Sequence, residues 1–93
     1  MNNYAEMFRF EMQASMTYAP ENSGLHQIVQ RWEKEYPDDS NLFFAKAILA
    51  SDNPSLSKDE ILTLIKKGEN GKMYDSINYS WFFDTAIACY RQR

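Results

Sequence analysis

Cysteine is almost absent from the 93-residue chain: Cys89 stands alone, so no internal disulfide can form. A lone thiol fits a reducing compartment. Histidine occurs once, at His26. One histidine without a cysteine cluster makes no zinc site, which takes about four ligands. With no nucleophile tied to it by spacing, His26 reads as a surface residue and not as a general base. Long apolar runs are missing as well, and none approaches the roughly 20 residues of a membrane span. Glu6, Arg9 and Glu11 interrupt any apolar core of a secretion signal. Positive charge is scarce: 10 Lys and Arg against 13 Asp and Glu leave a formal charge of −3, which disfavours a nucleic-acid surface. There is no P-loop, dinucleotide fingerprint, paired-cysteine metal motif or nucleophile elbow. These absences lead to the expectation of a cytoplasmic, non-enzymatic protein with no catalytic residues, no metal and no cofactor.

What the chain does have is apolar and aromatic content. Hydrophobic residues make up 44% of it, enough for a globular core, and aromatics make up 15%, enough to serve an interface as well. The length suits one domain, residues 1–93.

The stretch Tyr36–Ala50 organises the rest. Pro37 ends one helix, because proline cannot continue it and displaces the residue before it. Asp38, Asp39 and Ser40 follow as N-cap residues, and the two carboxylates suit the positive end of a helix dipole. From Leu42 to Ala50 only Lys46 is polar. A helix this apolar needs partners on more than one face.

The pattern predicts about five helices in an all-α fold. The first covers 3–17, with Asn3 and Glu6 at capping-box spacing and a stripe of Tyr4, Met7, Phe8, Glu11, Met12, Ser15 and Met16. Phe10 lies off that stripe. This helix is expected to act as a cover or a flap. Tyr18-Ala19-Pro20 ends it, and Asn22 or Ser23 starts the next, which carries Leu25, Ile28, Val29, Trp32 and Tyr36 on its apolar face. The central helix spans 40–51. Asp52–Ser55 is a turn cluster, and Ser57 with Glu60 forms a second capping box. A short helix with Ile61, Leu62, Leu64 and Ile65 then runs to Gly68, which is placed to stop it. The last helix starts at Asp75 or Ser76 and runs to the end, where Arg91 and Arg93 complement its C-terminal dipole.

From residue 22 to residue 92 this order of helices and turns resembles tetratricopeptide-like repeats. Three places carry the likeness: the junction Tyr36-Pro37-Asp38-Asp39, the large–small pair Phe43 and Ala47, and the matching pair Phe82 and Ala86. Trp32, where a small residue is usual, and Lys46, where an apolar one is usual, depart from it. The resemblance implies stacked helical hairpins with a concave surface; an irregular helical bundle is the alternative. It further implies that Asn41, Phe44 and Ile48 face the groove from the central helix, with Phe83, Ile87, Tyr90 and Arg91 facing it from the last. An amphipathic partner helix would be the natural ligand. The size, acidity, single cysteine and degenerate repeats resemble those of the small tetratricopeptide-like co-chaperones of type III secretion. That class holds a needle subunit's helix beside a second small helical co-chaperone. Two other readings fit the same residues: a small inhibitor that docks on a larger enzyme or complex, and a bundle that self-associates through its apolar last helix.

Overall fold

In the computed structural model the described residues are 3–17 and 24–93, with the side chains of 15–17 set apart. Five α-helices follow one another: α1 Tyr4–Thr17, α2 Leu25–Glu35, α3 Ser40–Ala50, α4 Lys58–Glu69 and α5 Ser76–Gln92. The expected caps at Asn22 and Ser23, the stop at Tyr18–Pro20 and the stripe residues Ser15 and Met16 fall outside the described side chains.

Each helix start has a local cause. Asp39 caps α3, its carboxylate accepting from the Asn41 N–H, and Asp75 caps α5 by accepting from the Asn78 N–H. Ser57 caps α4 by accepting from the Glu60 N–H at 3.2 Å. At α2 the cap position is Gly24, which has no side chain to offer. The cap residue's own N–H donates to the Glu11 carboxylate of α1 at 2.9 Å. The carboxylate that interrupts the apolar stripe of α1 therefore secures the next helix.

Three expectations about helix ends are corrected. Asp38 does not share the capping of α3; its carboxylate accepts from the Tyr74 hydroxyl at 2.9 Å. Gly68 does not stop α4, which continues to Glu69 and is capped by Asn70. Gly68 instead makes room: a Cβ there would lie 2.4 Å from the Phe44 ring. Arg93 closes its own helix only through its backbone, the N–H donating to the Tyr90 carbonyl at 3.2 Å; its side chain does not serve that end. It crosses to the far end of α3, donating to the Ala50 and Ser51 carbonyls at 3.1 and 3.0 Å and to the Leu56 carbonyl. A guanidinium suits the Ala50 and Ser51 carbonyls at the negative end of the α3 dipole.

Helix α3 sits in the middle. It packs most extensively on α4 and α5, and also touches α2 and α1. That is why it is apolar all round: Leu42, Phe44, Ala45, Ala47, Ile48 and Ala50 are all buried. The small residues Ala47 and Ala86 are fully buried, as close helix approach requires. Lys46, the polar exception, leaves the core and pairs with Glu33 of α2. Trp32 fills the centre, with its ring 6.4 Å from Phe8 and 5.8 Å from Phe82, while Tyr4 stacks on it at 6.1 Å. Rings from α1 and α5 thus enclose the large side chain that α2 contributes.

A short backbone bridge ties the two halves. Lys72 N–H donates to the Asp38 carbonyl at 2.7 Å, and Ser40 N–H donates to the Lys72 carbonyl at 2.9 Å. A Cβ on Gly71 would come within 3.0 Å of Ser40 Oγ and Asp38 O, so the approach needs glycine. The Cα radius of gyration is 12.1 Å, matching the ~12 Å expected of a compact chain of this length. The fold is all-α, and the irregular-bundle description fits it.

Candidate functional site

The hollow expected along α3 is closed from that side. Asn41, Phe44 and Ile48 retain only 1%, 0% and 4% of their exposure. Their expected place on an open groove is therefore corrected, and the cause is the central position of α3. Phe44 is covered by the rings of Tyr79 and Phe83, at 5.3 and 5.6 Å, and abuts Gly68. Asn41 donates its amide to the Asp75 carbonyl at 3.0 Å. Phe83, Ile87 and Tyr90 are half-buried against the core, and Lys58 lies 4.7 Å over the Tyr90 ring. Arg91 is exposed. The structure brings Phe44 and Phe83 together, but as packing partners.

The open apolar surface lies elsewhere, between α1 and the first turns of α5. A cleft of about 420 Å³ there is lined by Glu6, Arg9, Phe10, Gln13, Ile77 and Asn78. Phe10 is 73% exposed and Ile77 is 91% exposed. Phe10 lines the cleft from α1 and Ile77 lines it from α5.

The floor of this cleft is held by a polar chain that begins in the core. Asn41 reaches the Asp75 carbonyl. The Asp75 carboxylate accepts from the Asn78 side-chain amide at 2.6 Å, and Asn78 Oδ1 accepts from Arg9 Nη1 at 2.7 Å. The Arg9 guanidinium also lies 4.7 Å over the Trp81 ring. Arg9 thereby links α1 to α5, one residue before Phe10. The six lining side chains are one carboxylate, one guanidinium, two amides and two apolar groups.

Phe10 carries a signal in the sequence. It lies off the apolar stripe of α1 and shares a face with Glu6 and Gln13, at i−4 and i+3. Ile77 carries none, because its apolar neighbours on α5 read as one continuous core.

Compared with protein-family models, with curated proteins and with solved structures, the chain matches none. None of the helices among the described residues is long and apolar enough to cross a membrane.

Proposed function

We propose that this is a non-enzymatic chaperone or adaptor that holds an apolar helix of a partner protein against the cleft between α1 and α5. The observation that carries the reading is the pair Phe10 and Ile77, left in water on opposite walls while every other Phe is at least half-buried. Apolar anchors beside a polar rim are how an amphipathic helix is received. The resemblance to secretion co-chaperones supplies one candidate partner, the C-terminal helix of a needle subunit, together with a second small helical co-chaperone.

The test places a photoreactive residue at position 10 or 77 of the full chain in its native cytoplasm, with Thr63 on exposed α4 as the control position. Adducts formed from 10 and 77, but not from 63, with a short helical subunit are the expected result. A folded enzyme captured there would replace this reading with that of a docking inhibitor.

A further inference from the structure

The cleft has a second property that a partner helix does not explain: it carries its own complement. Phe10 and Ile77 project from walls that also enclose a hollow, so one patch presents both knob and hole. The charges behave in the same way. Glu6 is exposed on α1, and Arg9 lies one turn further along the same wall. The guanidinium has five N–H donors, of which Asn78 takes one. A purely acidic or purely basic partner would meet one like charge. A surface bearing one charge of each sign along a helix is complementary to itself when turned about a two-fold axis.

We propose that two copies of this chain pair across the α1–α5 cleft, the Phe10 and Ile77 of each filling the hollow of the other, with Glu6 of each facing Arg9 of the other. Two-fold pairing through one shared patch is the commonest form of assembly. It asks for about 800 Å² per copy, roughly one seventh of the 5930 Å² surface. The formal charge of −3 per copy is small enough that repulsion does not forbid contact at physiological salt, where the Debye length is about 8 Å. The pairing goes beyond the proposed partner reading and shares only its cleft.

Sedimentation of the full chain from about 1 μM to about 1 mM, a thousandfold span, reads the outcome. The mass should climb from 10.9 kDa toward twice that value. Phe10→Asp and Ile77→Asp should each raise the dissociation constant about tenfold or more, as loss of one buried apolar anchor does. At concentrations where the parent is monomeric their melting midpoints should stay at the parent value, because both side chains are exposed. Glu6→Lys should weaken pairing too, and its effect should fade in high salt. A single 10.9 kDa species at every concentration overturns the pairing. So does a dimer that neither Phe10→Asp nor Ile77→Asp weakens. The photoreactive residue at 77 separates this idea from the partner reading. Adducts with a partner helix from a strictly monomeric chain would end the pairing and leave that reading intact. Self-adducts without partner adducts would support the pairing and end that reading.

Discussion

Trp32 donates its indole N–H to Asp39 at 2.9 Å, across the turn that joins α2 to α3, and both side chains are fully buried. The second oxygen of the same carboxylate takes the Asn41 N–H at 3.0 Å. One side chain thus caps the central helix and satisfies the central ring. Asp39→Ala removes the cap and leaves the indole N–H without its acceptor. Together these should cost about 2–4 kcal/mol, measured by chemical denaturation. Asp38→Ala, at the exposed neighbouring position, should cost much less.

Gly68 lies inside α4, where alanine would ordinarily add about 1 kcal/mol through better helix propensity. Here the Phe44 ring stands 2.4 Å from the position of the added Cβ. Gly68→Ala should therefore destabilise, by about 1–3 kcal/mol, as other overpacked cores do. The double variant Gly68→Ala with Phe44→Leu should recover part of that loss in a thermal melt. Full additivity of the two changes would show that the contact is not the cause.

Arg93 closes the far end of α3 with three carbonyl contacts. Arg93→Ala should lower stability by about 1 kcal/mol, the discount reflecting its exposure. Arg93→Lys should restore only part of it, because a single ammonium lacks the planar fork that spans separate carbonyls. Paired denaturation curves of the two variants read the difference.

The Tyr74 phenol titrates above its ordinary value of 10.0, because it donates to the Asp38 carboxylate and a phenolate there would face Asp38 and Asp39. Its folded value is the higher one. The stabilisation it supplies is therefore fully present below the unfolded value and is lost as pH rises through the folded value. Alkaline absorbance titration should find Tyr74 ionising above its ordinary value, and Asp38→Asn should bring it back down. Stability near neutral pH should not respond to this group.

Much of the fold is legible in the residues. Helix count, the caps at Asp39, Ser57 and Asp75 and the buried alanines all follow from local rules, since capping and periodicity act within a few positions. The open face is far less legible. Phe44 and Ile48 lie on α3 as a groove-lining pair should, yet whether a helix face is open depends on how many neighbours cover it. Here the answer comes from contacts distant in sequence, with Phe83 and Tyr79 lying over Phe44. Arg93 misled for the same reason. Its proximity in sequence suggested its own helix end, and the fold brings a different end nearer. Glu11 shows the converse, since a carboxylate that spoils one helix's periodicity is explained by the start of another.

The backbone rungs between Lys72 and the Asp38–Ser40 turn clasp α3 and α4 into a closed ring, fastened before α5 begins. Elements so fastened should open together. In native-state hydrogen exchange the amides of Ser40 and Lys72 should share one opening free energy, while those of α1, which is attached from outside the ring, should be released earlier. The molecule would then come apart in two stages, shedding its first helix while the clasp still holds.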